Sequence, residues 1–453
     1  MKHYDFVVLG GGNAGLSAAR EVAAHGKKVI LIDPTPIGGL CPLRGCNPKK
    51  VLVRASEALQ EVRNCPEHGI HVDNVRIDWN ALIDRKHRFT DPVTESTEQS
   101  LHKAGVEHLE ASPRFSGPDR IEADAHTFGF NGCLIATGSK PRALPIEGAE
   151  HLKTSDDLLA LRQVPETMVV IGAGAVAFEL SQVYARLGTR IHMLVRGTTI
   201  LKGFDSDIVR ELVEHSKTLG FVIYEKTEAK AISASGGGYA VLLSNGSTIE
   251  ADIVFNASGR VAAIETLNLD AAGVEYTDKG ITVDEYRRAN RDSRIYAAGD
   301  ADGGMQLSPV ASYEGAVVAH NFLNGDEKQV DYTSIPRALF TVPPCAMVGL
   351  TDAQATERGL DVNVTMKDMS EWTVFSIANE KKAFGKVVSD GRTGKILGAH
   401  LYHAGADENI NLFAMAMRFG ITRDRLSQLV PVYPTFSSAV QHLIPKRDGG
   451  KRT

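Results

Sequence analysis

Two stretches of this chain share one hydrophobic pattern. Phe6-Val7-Val8-Leu9 is an unbroken apolar run that leads into Gly10-Gly11-Gly12-Asn13-Ala14-Gly15, and Met168-Val169-Val170-Ile171 leads likewise into Gly172-Ala173-Gly174-Ala175-Val176-Ala177. A short continuous apolar run bounded by turn residues reads as a strand buried on both faces. Helix-forming sequence follows each turn. A second apolar strand then follows, at residues 28–33 and 190–196. The pattern predicts two β-turn-α-β units of the kind that binds dinucleotides.

Between them, Gly132-Cys133-Leu134-Ile135-Ala136-Thr137-Gly138 reads as a strand ending in a Thr-Gly turn, with a linker from Pro141. Ala257-Ser258-Gly259-Arg260 repeats that idea, and Arg294-Ile295-Tyr296-Ala297-Ala298-Gly299-Asp300 is a further strand and turn. After about residue 330 the texture changes: 339–344 and 347–351 read as strand and turn, and 385–388 and 396–401 as antiparallel strands. Residues 409–419 read as a helix closed by Gly420.

Length bounds the number of units. At roughly 150 residues per domain, 453 residues predict three. A net charge of −5 gives no reason to expect nucleic acid. The basic tail at Lys446-Arg447 and Lys451-Arg452 reads as a solvated terminus. No stretch approaches the ~20 apolar residues a membrane helix needs, and the chain runs straight into a strand with no signal-peptide pattern. Five irregularly spaced cysteines are no disulfide framework. A cytoplasmic location is expected by default, and there a disulfide is catalytic more often than structural.

Two of those cysteines carry the chemistry. Gly38-Gly39-Leu40-Cys41-Pro42-Leu43-Arg44-Gly45-Cys46-Asn47-Pro48-Lys49-Lys50 follows the first unit directly. That position sets a reversible dithiol beside a bound dinucleotide, an arrangement for passing electron pairs. The thiolate is the reactive form, and Arg44 and Lys49 are candidate cations to lower a thiol pKa. In each glycine turn one glycine makes the tight bend, one admits the pyrophosphate and one allows helix to pack on strand, with phosphates at the helix N-terminus. Asp33, ending the first unit's second strand, suits a ribose hydroxyl; a strand-end cap is the alternative. Arg196, at the equivalent place in the second unit, suits a 2′-phosphate, with solvated surface charge as the competing account.

The dithiol stretch and the two fingerprints resemble the FAD-dependent pyridine nucleotide–disulfide oxidoreductases (glutathione reductase, dihydrolipoamide dehydrogenase, mercuric reductase), almost end to end. The resemblance implies an α/β fold with two Rossmann-like domains, for FAD (1–145 and 262–328) and for NAD(P)H (146–261). A C-terminal α+β dimerisation domain (329–453) completes it, and the enzyme is expected to be a homodimer. It implies that electrons pass from NADPH, in preference to NADH, through FAD to a Cys41–Cys46 disulfide and on to a small-molecule acceptor. Cys46 would be the flavin-side thiolate and Cys41 the interchange thiol. Lys49 and Glu179 would pair near the flavin. Lys50, Thr137, Gly138 and Asp300 would serve FAD. Lys202 would join Arg196 in a loop selective for NADPH, and Gly259 would mark a domain crossing.

Several positions depart from the family. A His-Pro-Thr-x-x-Glu element, in which histidine is general acid–base and glutamate orients it, reads here Tyr433-Pro434-Thr435-Phe436-Ser437-Ser438. Tyrosine, with a reference pKa of about 10, can donate a proton but is a poor base at neutrality. Ala175 replaces a tyrosine that gates the nicotinamide pocket. Ala316 replaces one substrate arginine of glutathione reductases, while Arg20 matches another. The adjacent C-terminal cysteines of mercuric reductases are missing. Besides a disulfide reductase, two further readings stand open: a flavin reductase of quinones, metal ions or oxygen, and a non-enzymatic redox-sensing flavoprotein.

Overall fold

The structure is a computed structural model that describes residues 1–289 and 294–444; the basic tail lies outside them. β1 (Lys2–Leu9), α1 (Asn13–Ala24) and β2 (Val29–Asp33) form the first unit, with β1 and β2 parallel from Phe6 opposite Val29. Residues 6–9 are fully buried. Each such side chain contributes roughly 1.5–3 kcal/mol on leaving water, which is why the run is apolar on both faces.

The dithiol stretch folds as a short α2 (Leu40–Arg44) and a long α3 (Cys46–Asn64). Two more helices, α4 (Trp79–Thr90) and α5 (Val93–Lys103), lead to β3 (Val106–Glu110), which pairs parallel with β2. An antiparallel run of β4 (Pro113–Gly117), β5 (Arg120–Ala123) and β6 (His126–Ile135) then carries the chain to the other side of β1. There β6 lies parallel to it.

β7 (Ser139–Pro141) leaves this sheet. The second unit comprises α6 (Ser155–Ala160), β8 (Thr167–Ile171), α7 (Ala175–Arg186), β9 (Arg190–Val195), α8 (Ser206–Thr218) and β10 (Phe221–Glu225). An antiparallel sheet of β11 (Ala229–Ser235), β12 (Gly238–Leu243) and β13 (Thr248–Ala251) precedes β14 (Ile253–Asn256), which completes the parallel order β10-β9-β8-β14. β15 (Arg260–Ala262) pairs antiparallel with β7, so the outgoing and returning chain run side by side.

β16 (Ile295–Ala297) rejoins the first sheet beside β6. α9 (Ser308–Asn324) packs on α1, close enough that a Cβ on Gly315 would lie 2.3 Å from the carbonyl oxygen of Ala14. The last sheet is antiparallel, in the order β17-β18-β21-β20-β19. Its elements are β17 (Arg337–Leu339), β18 (Cys345–Gly349), α10 (Asp352–Glu357), β19 (Val362–Asp368), α11 (Thr373–Ile377), β20 (Phe384–Asp390) and β21 (Ile396–Tyr402). The helix expected at 409–419 is α12 (Ala406–Arg418). It starts one turn earlier because Gly405, in left-handed conformation, begins it, and Gly420 follows its end at φ +64°.

Candidate active site

The first glycine turn is dictated by close approach. Gly10 has φ +110°, and a Cβ there would stand 2.3 Å from the Ala136 carbonyl oxygen. A Cβ on Gly15 would meet the Gly10 carbonyl oxygen at 2.0 Å, so α1 can start only because that residue is glycine. Gly12, Asn13 and the buried Ala14 open the helix. Gly39 of the dithiol stretch, at φ +77°, crosses Gly12 so closely that a Cβ would lie 2.5 Å from its Cα. Asp33 Oδ2 accepts from the Gly11 amide (2.6 Å), while Oδ1 accepts from the Thr35 amide and hydroxyl (2.8 Å each). The strand-end carboxylate thus ties the turn to the strand that bears it.

Facing this turn are Thr137, Gly138 and Asp300. The Thr137 hydroxyl is buried without a hydrogen-bond partner, and Gly138 at φ +71° has open space where a side chain would project. Asp300 accepts from the Ser139 hydroxyl at 2.6 Å. The Gly299 amide beside it donates to buried Glu314 (2.6 Å). An orphaned buried hydroxyl beside a glycine turn and a carboxylate fits a bound group that carries phosphates and a polar chain.

Cys46 opens α3 and Cys41 lies in α2; both are thiols, Cys46 exposed and Cys41 half-buried. The Ser308 hydroxyl, first residue of α9, lies 3.3 Å from the Cys46 sulfur. The hydrogen bond from Cys41, then that from Ser308 and the charge of Lys49 lower the Cys46 thiol from its ordinary value of 9 to about 6. Cys41, sharing its proton with Cys46 and partly desolvated, is pushed strongly upward. The surroundings therefore favour a thiolate on Cys46 over one on Cys41.

Lys49 lies one turn along α3. Its Nζ meets Glu179 Oε2 of α7 at 2.7 Å, with both side chains largely buried. Glu179 Oε1 accepts from the Phe340 amide (2.8 Å), and Lys49 and Lys50 stand 4.8 and 4.3 Å from the Phe340 ring centroid. Lys50 also reaches Asp407 (3.4 Å) and Glu57 (3.5 Å). Of the two cations expected beside the sulfurs, Lys49 acts on Cys46, whereas Arg44 turns to Asp156 at 3.7 Å.

In the second turn Gly172, at φ +115°, repeats the close approach: a Cβ would lie 2.3 Å from the Ala257 carbonyl oxygen. Around Gly174 there is open space, Ala177 is buried, and Ala175, Arg196 and Lys202 are exposed. Gly259, at φ +127°, faces only the Arg142 guanidinium, 4.0 Å from its would-be Cβ. An open glycine turn with two exposed cations in the same unit fits a second phosphate-bearing ligand.

Tyr433 stands apart from the sulfurs, two-thirds exposed. It borders a groove of about 330 Å³ with Glu371, Trp372, Val374 and His442, none of them in the dithiol cluster. Ser438, in place of the family's glutamate, is buried and closes a capping turn with Thr435. Arg20 has a buried Nε without a partner, and Ala316 is exposed on α9. Sequence reasoning missed Ser308 altogether: Ser-Pro signals a helix start, but not which sulfur that start will face.

A family model described as pyridine nucleotide-disulphide oxidoreductase matches residues 4–315, and one described as its dimerisation domain matches 335–444. The chain is 31% identical to a glutathione reductase from Burkholderia cepacia, covering 96% of this chain and 98% of that one. It is 32% identical to a mercuric reductase from Bacillus cereus (97% and 70%) and 30% identical to a dihydrolipoyl dehydrogenase from Bacillus subtilis (95% and 93%). A solved Cu(II) complex of an HOCl-induced flavoprotein disulfide reductase from Escherichia coli shares the fold, with a TM-score of 0.88 at 24% identity over 98% of this chain and 99% of that one. Among the described residues no helix is long and apolar enough to cross a membrane, and no group of three or more His, Cys, Asp or Glu could hold a metal ion.

Proposed function

This chain belongs to the pyridine nucleotide-disulphide oxidoreductases, an FAD-dependent family of enzymes, and on that footing we propose that it uses NADPH to reduce a small disulfide or related electrophile through Cys41 and Cys46. The dimerisation-domain match over residues 335–444 supports a homodimer. We assign residues 1–145 and 262–328 to FAD, 146–261 to the nicotinamide nucleotide and 329–453 to the dimer interface. A dithiol that cycles through a disulfide suits the reducing cytoplasm.

Gly10 to Gly15, Asp33, Lys50, Thr137, Gly138 and Asp300 are the residues that would hold FAD. Gly172, Gly174, Ala177 and Gly259 would receive the nicotinamide nucleotide, with Arg196 and Lys202 meeting a 2′-phosphate. Bound FAD supplies the two-electron relay between nicotinamide and the sulfur pair. Lys49 brings positive charge, fixed by Glu179, to the same place; preorganised charge of this kind is usually the largest electrostatic contribution to catalysis.

The acceptor step is a pair of thiol–disulfide exchanges. Cys41 attacks a sulfur of the substrate disulfide and loses its proton to Cys46, the neighbour it already faces. The first substrate thiolate leaves. Cys46 gives up that proton and attacks the Cys41 sulfur, closing the Cys41–Cys46 bond and expelling the second thiolate. The two leaving thiolates take up the proton released and one more from water or, across the dimer, from Tyr433 of the partner subunit. That first proton transfer is uphill, because Cys46 is the weaker base of the two sulfurs, so the loss of the family's histidine should slow this step. Tyr433 is left with the one role a phenol performs well at neutrality, proton donation.

The observation that carries this reading is the Cys46 sulfur at the start of α3, 3.3 Å from the Ser308 hydroxyl and one turn from Lys49, which Glu179 holds at 2.7 Å. Anaerobic titration with NADPH tests it. A long-wavelength absorption band should appear and vanish in Cys46→Ser, and Cys41→Ser should lose turnover of low-molecular-weight disulfides. Full turnover by Cys41→Ser with quinones, metal ions or oxygen as acceptor would turn the assignment toward direct flavin reduction.

A further inference from the structure

Resting on the reading of Arg196 and Lys202 as the groups that meet a 2′-phosphate, we propose that Arg337, backed by Lys386, is a positioning residue for nucleotide selection. These two side chains of the C-terminal sheet hold the loop that carries Lys202.

Lys202 lies on an irregular stretch between β9 and α8. Segments of this kind are mobile unless something ties them down. Here both neighbours of Lys202 are tied. On one side the Leu201 amide donates to the Ala173 carbonyl (2.9 Å), inside the second glycine turn itself. Leu201 is buried and has φ +49°, a conformation a leucine rarely adopts and keeps only when its surroundings over-determine it. On the other side Arg337, from β17, donates to the Gly203 carbonyl (2.9 Å), and its guanidinium stands 5.5 Å from the Phe204 ring centroid.

The next residue is anchored more heavily. Asp205 caps α8 through the amides of Asp207 and Ile208. Its Oδ2 receives Lys386 of β20 at 2.9 Å. Lys386 is buried and also meets Asp207 (2.9 Å) and Asp352 (2.8 Å). A buried lysine among three carboxylates has little freedom to move, and neither has the backbone it grips. The tie thus runs from β17 and β20 through Gly203 and Asp205 to Lys202, and through Leu201 to the turn that would receive the pyrophosphate. Arg196 is held differently, by the end of β9 and a bond from the Lys226 amide to the Gly197 carbonyl (2.9 Å).

The measured quantity is the ratio of kcat/KM for NADPH to that for NADH in the holoenzyme, because NADH lacks the phosphate. Lys202→Ala should lower the ratio about tenfold, the worth of one charge-assisted contact. Arg337→Gln should lower it roughly threefold or more by misplacing that contact, and Arg337→Lys should recover part of the loss. The double variant Arg337→Gln/Lys202→Ala should fall no further than Lys202→Ala alone, since Arg337 acts through Lys202.

An Arg337→Gln effect equal for both nucleotides, or one that adds in full to Lys202→Ala, would overturn the proposal and leave Arg337 as domain packing. A strong NADPH preference that Lys202→Ala abolishes and Arg337→Gln leaves intact would sink the positioning role alone. A wild-type enzyme without NADPH preference, indifferent to Lys202→Ala, would remove the reading of the loop on which it rests.

Discussion

Gly10 and Gly172 occupy equivalent places in the two units, at φ +110° and +115°, each with a carbonyl oxygen 2.3 Å from where a Cβ would be. Past that residue the turns diverge. The first is roofed by Gly39 of the dithiol stretch, and its strand-end acid Asp33 is engaged with Gly11 and Thr35. In the second, Gly174 has nothing within 4 Å, and the strand-end residue is the exposed Arg196. The third glycine is kept as Gly15 in the first unit and becomes Ala177 in the second. One glycine turn is covered, as the proposed resident FAD would need; the other is open, as the proposed nicotinamide nucleotide would need to arrive and leave.

The seam between the units offers the largest perturbation. Lys49 follows the first turn and Glu179 belongs to the second unit, and their pair is largely buried. Lys49→Met leaves the Glu179 carboxylate without its cation, and thermal or denaturant unfolding should register a loss of roughly 3–5 kcal/mol. Next come Gly10→Ala and Gly172→Ala. Each puts a methyl group against a carbonyl at positive φ, at a cost of roughly 2–4 kcal/mol; calorimetry should find the two alike, and a clear inequality would break the equivalence of the turns.

A smaller effect distinguishes the roof of the first turn. With Cys46 lowered to about 6, its thiolate is present above that pH and lost below it, while Cys41 stays protonated. Alkylation of the reduced protein by iodoacetamide should rise with a midpoint near that value and level off, and Lys49→Met should move the midpoint upward. Smallest of all, Gly174→Ala enters open space. It should change stability by less than about 0.5 kcal/mol while raising KM for the nicotinamide nucleotide, an asymmetry with Gly172→Ala that tests the openness of the second turn.

How far the chain could be read follows from how local each feature is. The apolar runs, glycine turns and returning strands were legible because periodicity and turn chemistry act over a few residues. The α12 start was misjudged by one turn because Gly405 can begin a helix in left-handed conformation, which composition does not announce. Ser308 escaped notice because its partner sulfur lies 262 positions away. Arg44 looked like a neighbour of the thiols by spacing, yet α2 directs it to Asp156. The grip of Lys386 on Asp205, Asp207 and Asp352 was equally hidden, since three acids and a lysine on separate elements leave no pattern along the chain.

The placement of α9 has a consequence for biosynthesis. The helix that covers α1, and the hydroxyl that faces Cys46, are translated only after the whole second unit. Once residues 1–262 have emerged, the chain holds a complete, continuous second unit beside a first unit with α1 bare and no β16 on its sheet. Domains fold as units during synthesis, and exposed apolar surface on the waiting part is a target for aggregation. The topology therefore lets the inserted unit close first, whereas the split one can close only once β16 and α9 have emerged.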